Sequence, residues 1–196
     1  SPPPQPATHT GAGQRIWGTL DPFVEEGSAL GRRIANTTFI KAFLRADPYD
    51  AYHFFLTDDR SEDFLKSWLY DHFPSLMARN AIYVGRYLSL QNMLATTRYH
   101  CMHLSDIFGR YTRLTQMRNA MAANIFPVTG ITHSLSYSHF MADYSMHLWP
   151  GVSSRDAIMT SSESARLVLE RIFQNIRTGY GLDERAFPAP KLEQVP

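Results

Sequence analysis

The sequence predicts an α/β fold, a parallel sheet with helices on both faces. Three observations carry this. Short apolar, β-branched or aromatic runs alternate with segments of helical spacing along nearly the whole chain. No hairpin signal joins one strand to the next, so each connection crosses over through a helix, and crossover connections give parallel strands. Several strands end on polar residues just ahead of a helix. The clearest case is Ile125–Tyr137 (IFPVTGITHSLSY), where apolar residues run through Gly130 into His133, Ser134, Ser136 and Tyr137. In open α/β sheets ligands bind outside the carboxyl ends of strands.

The elements can be justified in order. Residues 1–14 open with SPPPQPATHTGAG, rich in Pro, Gly and small polar residues, and read as a flexible arm. Arg15–Leu20 (RIWGTL) is the first strand. A loop over residues 21–33 (DPFVEEGSALGRR) follows, with Asn36, Thr37 and Thr38 as N-cap candidates for a helix carrying Phe39, Ile40, Phe43 and Leu44. After Asp47-Pro48, Ala51–Leu56 (AYHFFL) is apolar enough for a strand buried on both faces. Asp59 and Glu62 resemble a capping box ahead of the stripe Phe64, Leu65, Trp68, Leu69, Phe73, and Pro74 ends or kinks that helix.

Ala81–Val84 is a third strand, Leu90, Met93 and Leu94 mark a short helix, and His100–Leu104 is a fourth strand ending on Ser105-Asp106. The next helix sets Tyr111, Leu114, Met117 and Met121 on one side and Arg110, Arg113 and Arg118 elsewhere. The fifth strand is the Ile125–Tyr137 stretch, whose Pro127 suits a strand start, edge or bulge better than a central strand. A helix over Phe140–Leu148, a strand Asp156–Thr160 (DAIMT), a capping box at Thr160 and Glu163, and a helix bearing Ala165, Val168, Leu169, Ile172, Phe173 and Ile176 come next. Gly179 and Gly181 close that helix, and Lys191–Val195 is the last strand.

Composition narrows the function. With 196 residues, 44% apolar content and a formal net charge of +1, nothing in the bulk charge asks for a nucleic acid, and the basic residues are dispersed. Membrane association is left open but not indicated, since no apolar run approaches the roughly 20 residues of a spanning helix. The single cysteine, Cys101, excludes an intrachain disulfide framework, and with no signal-peptide pattern the expected compartment is cytoplasmic. The eight histidines form no HExxH, and no CxxC is present, so no metal site is expected. A serine hydrolase would need GxSxG, which is absent. Gly11 and Gly13 precede the first strand, so the dinucleotide fingerprint fails as well.

Two stretches remain as candidate chemistry. His133 stands at a strand's carboxyl end, where an imidazole can donate, accept or carry a proton near neutral pH. Asp106 ends the fourth strand, on the same rim as His133 if the strands are parallel, and Ser134 adjoins the histidine. The first loop, with Glu25, Gly27, Ser28 and Gly31, could bring backbone N–H groups and a helix dipole to a phosphate. His139 and His147, on the helix after His133, are read as lying outside the site.

The order of parts resembles the N-terminal, acceptor-side domain of a GT-B glycosyltransferase of the retaining family four group. The residues that carry the resemblance are the first strand with Glu25-Glu26-Gly27-Ser28 through Gly31, VTGITHSLSY at His133, the segment from Arg155 to Arg166 (RDAIMTSSESAR), and the strand at Lys191–Pro196. It spans residues 15–196 as one Rossmann-like domain. The resemblance implies a hexosyltransferase moving a sugar from a nucleotide-sugar to a glycan, lipid or small-molecule acceptor. It implies His133 as the catalytic residue near the transferred sugar, Gly27, Ser28 and Gly31 toward the donor phosphates, and Glu25, Asp106 and Ser134 on the acceptor side. No metal or other cofactor bound by this domain alone is implied.

Two departures are plain. Gly27-Ser28 has one glycine where the family has two. The paired-glutamate motif of the family's second domain, which holds most of the nucleotide-sugar, has no equivalent here. The expectation is a chain lacking that C-terminal domain and inactive alone. The alternative is a self-contained flavodoxin-like or receiver-like binding or regulatory module, for which Asp58-Asp59 after the second strand would be the acidic cluster.

Overall fold

A computed structural model describes residues 13–24, 31–135 and 141–195. Among these residues the elements run β1 (Ile16–Thr19), α1 (Gly31–Ala46), β2 (Ala51–Leu56), α2 (Asp59–His72), α3 (Pro74–Ala78), β3 (Ile82–Arg86), a 3-10 turn (Tyr87–Ser89), α4 (Leu90–Thr96) and β4 (Cys101–Leu104). They continue with α5 (Arg110–Met121), β5 (Val128–Ile131), α6 (Met141–Met146), β6 (Ala157–Thr160), α7 (Glu163–Tyr180) and β7 (Lys191–Gln194). The seven strands are parallel, in the order β3-β2-β1-β4-β5-β6-β7, and helices flank the sheet. The α/β class and the alternation expected from the sequence are thus present. By their contacts, Ser1–His100 and Cys101–Pro196 form two compact units.

The first unit is built on rings. β1 pairs with β2 and β2 with β3, with Trp17 opposite Tyr52 and His53 opposite Tyr83. Every residue of β2 is buried, as its unbroken apolar run requires when both faces are covered. Trp17, 1% exposed, lies 4.9 Å from the Phe43 ring and 5.7 Å from Phe54 in edge contact, and Phe39 stacks on Phe43 at 5.6 Å. Such ring contacts add about 0.5–1.5 kcal/mol each beyond the area they bury. Buried His53 meets the Tyr99 hydroxyl through Nδ1 at 2.9 Å.

The second unit is built on polar groups. β4 pairs with β5, β5 with β6 and β6 with β7. Arg118 on α5 and Asp156 just before β6 are both fully buried and form a two-pronged ion pair at 2.5 and 3.0 Å. The Asp156 carboxylate also accepts from the Val128 N–H at 3.0 Å and the Ser153 N–H at 2.8 Å, which fills its four acceptor positions. Arg118 donates further to the Phe126 carbonyl at 2.7 Å and to Asn119 at 2.9 Å. The pair ties α5 to the amino-terminal ends of β5 and β6. The expected placement of Arg118 away from the packed face of its helix is therefore corrected: it lies in the inward row with Tyr111, Leu114 and Thr115.

Several helix starts differ from the sequence expectation. α1 begins at Gly31, ahead of Asn36, which is buried in its interior. The N-cap of α2 is Asp58, one residue before the expected Asp59, and its carboxylate accepts from the Ser61 N–H at 2.8 Å and the Ser61 hydroxyl at 3.0 Å. These bonds hold the exposed carboxyl below its usual range. Ser162, not Thr160, caps α7, accepting from the Ala165 N–H at 3.2 Å; Thr160 is still in the strand, buried. Gly181 ends α7 in the left-handed conformation, φ 63°, that glycine adopts without strain. Pro127 sits just before β5, where its missing N–H costs no ladder bond, and its carbonyl accepts from the Met102 N–H at 3.0 Å.

Candidate functional site

The carboxyl rim of the second unit starts from register. Leu104 stands opposite Gly130 and Ile131 opposite Met159, so Ser105-Asp106, Thr132-His133-Ser134 and Ser161-Ser162 all emerge at one end of parallel strands. Ser105 and Thr132 are buried, Asp106 and Ser134 are half-buried, and His133 is exposed. The structure thus brings Asp106, His133 and Ser134 to the same rim.

The loop after β4 lies directly on β5. A Cβ on Gly130 would stand 2.8 Å from the Asp106 carbonyl oxygen, 2.9 Å from the Tyr111 ring and 3.1 Å from Ile107. Only a glycine lets that loop approach so closely. The Asp106 carboxylate accepts from the Phe108 N–H at 3.0 Å, an Asx-turn that folds the loop into α5. The Ile107 carbonyl accepts from His147 Nε2 at 2.8 Å. On the β5 side, the Tyr144 hydroxyl donates to the Leu135 carbonyl at 3.1 Å.

His147 was expected to stand apart from the site. It is fully buried, between Tyr111 at 5.1 Å and Phe173 at 6.0 Å, and burial pushes its pKa down to about 4, against the hydrogen bond to Ile107. It is neutral near pH 7, with the proton on Nε2. Sequence spacing alone could not show this, because an imidazole on a short helix has no partner in the helix itself. His103 is a second buried neutral histidine: desolvation lowers its pKa to about 4, and Nδ1 meets the Thr129 hydroxyl at 2.8 Å. Cys101, two residues earlier on the same face of β4, also contacts Thr129, and burial raises its thiol pKa to about 11. A thiol so protonated is a poor nucleophile and a poor metal ligand.

The first-loop candidates divide. Glu25, Gly27 and Ser28 lie outside the described residues. Gly31 is the first residue of α1 in the first unit, exposed, with open space where a Cβ would be. Phe23, two residues before the undescribed stretch, takes a left-handed backbone at φ 58°, a conformation costing a bulky residue about 1–3 kcal/mol. Burial against Trp17 and Phe39 holds it there. That strain was not legible in the residue type, since Phe is not a turn residue. Asp58 is occupied as a helix cap, and Asp59 pairs with Arg86.

Among the described residues, no group of three or more His, Cys, Asp or Glu is placed to hold a metal ion. No helix among them is long and apolar enough to cross a membrane. Comparison with models of known protein families, with curated proteins and with solved structures gives no match.

Proposed function

We propose that this chain is the N-terminal, acceptor-side domain of a glycosyltransferase of the GT-B type, which moves a hexose from a nucleotide-sugar to an acceptor. The observation that carries the reading is His133, exposed at the carboxyl end of β5 beside Asp106 and Ser134 on a parallel sheet. That is where an α/β sheet offers polar groups to a ligand. The strand order supports it: β3-β2-β1-β4-β5-β6 is the Rossmann order, and the flavodoxin-like order is 2-1-3-4-5. The employment of Asp58 as a helix cap also leaves a receiver-like acidic cluster without one of its carboxylates.

In this reading His133 hydrogen-bonds a hydroxyl of the transferred sugar, and Asp106 and Ser134 face the acceptor. A second α/β domain of the same protein supplies most of the nucleotide contacts. Catalysis rests on positioning and fixed dipoles, without a strong protein nucleophile. Titration calorimetry of residues 1–196 with uridine and guanosine diphosphate sugars should give weak or undetectable binding. The whole protein should bind a donor and release nucleoside diphosphate in the presence of acceptor. Submicromolar donor affinity of the chain alone would overturn the half-enzyme reading, and a whole protein that turns over no donor would overturn the transferase.

A further inference from the structure

We propose that α6 and the residue after it form a clamp that sets both carboxyl-end loops of the second unit, with Tyr144 and His147 as positioning residues. The Tyr144 hydroxyl donates to the Leu135 carbonyl, just after His133-Ser134, at 3.1 Å. His147 Nε2 donates to the Ile107 carbonyl, just after Asp106, at 2.8 Å. The Phe108 ring packs edge-on against Tyr144, with centroids 5.4 Å apart and planes at 76°. One short helix therefore grips the β4–α5 loop and the loop leaving β5 together.

Stability alone does not call for a histidine at position 147. Among the described residues its Nδ1 is buried without a hydrogen-bond partner, so the ring gains one bond and strands one acceptor. A stranded buried acceptor costs about as much as a hydrogen bond returns, and an apolar residue of like size would avoid it. What histidine adds is a donor aimed at the Ile107 carbonyl, which no apolar side chain can offer. Gly130 holds the same loop from below, by letting the Asp106 backbone lie on β5. The Asp106 carboxylate is thus carried on a backbone fixed from two sides. That the clamped loops serve sugar transfer rests on the function proposed above; that they are clamped does not.

The test uses residues 1–196 and needs no substrate. In Tyr144→Phe the ring stays and the donor goes, so amide exchange at Ser134 and Leu135 should rise about fivefold, the scale of one hydrogen bond. The His133 ring-proton signal should move toward that of a free imidazole. In His147→Leu the same rise should appear at Asp106–Phe108. His147→Gln, whose amide nitrogen reaches where Nε2 sits, should restore slow exchange. Amides of Met102–Leu104 should be unchanged in all three. Unchanged loops, a rise spread equally over the strands, or a glutamine that fails to restore slow exchange would each overturn the clamp. Should His147→Leu not fold, Tyr144→Phe decides alone.

Discussion

The two compact units solve the same problem, burying both faces of parallel strands, with different chemistry. The first fills its interior with rings, and Trp17 touches Phe23, Phe43, Tyr52 and Phe54. The second places an ion pair whose carboxylate has all its acceptor positions filled, two neutral histidines and a tyrosine with its hydroxyl hydrogen-bonded among its apolar residues. A ring core tolerates a change of shape, because its attraction is spread over many weak contacts. A polar core does not, because each group left unpaired bears its full desolvation cost. The second unit also carries the rim with His133. There the polar groups sort by strand end: the ion pair fastens the amino ends of β5 and β6, and the candidate site occupies the carboxyl ends.

The contrast is broken most directly at Arg118. Arg118→Met leaves Asp156 buried without its cation and should cost about 3–5 kcal/mol in denaturant unfolding. Phe54→Leu, a truncation within the ring cluster, should cost about half as much. Equal losses would erase the distinction between the cores.

Acid should separate the units next. His103 and His147 have folded pKa values of about 4, below the ordinary 6.5, so as pH falls the unfolded chain takes up protons first. The stability they contribute is whole above pH 6.5, declines between 6.5 and 4, and declines no further below. Each histidine accounts for about 3 kcal/mol across that window. Amide exchange followed from pH 7 to pH 4.5 should show protection lost first in residues 101–195. Earlier loss in residues 13–100 would contradict the assignment.

Glycines sharpen the comparison on a smaller scale. Gly130→Ala pushes a methyl against backbone and should cost about 1–3 kcal/mol. At Gly85 the nearest atoms that an added carbon meets belong to the outer end of the Tyr83 ring, a side chain and not backbone, so Gly85→Ala in the first unit should cost less. Thermal melts of the two variants give the order. Smallest is the cap: Asp58→Ala should lower the melting temperature slightly, with no change at the rim of the second unit.

Much of this architecture was legible in the sequence because it is periodic. Strand and helix alternation placed the other strands within a few residues, while the fifth is the shorter Val128–Ile131 inside the expected Ile125–Tyr137 stretch. Of the start, edge or bulge that Pro127 suited, it takes the place just before the start. What escaped was tertiary. Arg118 sits at the inward spacing after Tyr111, Leu114 and Thr115, and that position was the available signal, but its partner Asp156 lies 38 residues on, across a strand and a helix. The burial of His147 escaped because its partner is a backbone carbonyl 40 residues earlier. The caps of α2 and α7 were misplaced by one and two residues because Asp58-Asp59 and Thr160-Ser161-Ser162 offer adjacent polar side chains, and backbone angles choose between them; the cap expected at Asn36–Thr38 lies inside α1.

The central claim is that the carboxyl rim of the second unit, through His133, carries sugar transfer. It is tested most directly by kcat and Tm of His133→Ala in the whole protein, with His72→Ala, exposed in the first unit, as control. With His133 in the proposed role, kcat for sugar transfer to the acceptor, read as nucleoside diphosphate released, should fall about a hundredfold, the scale of one lost electrostatic donor. Tm should stay within about 2–4 °C, as for an exposed side chain, and His72→Ala should turn over like the wild type. A His133→Ala protein with full turnover would contradict the account.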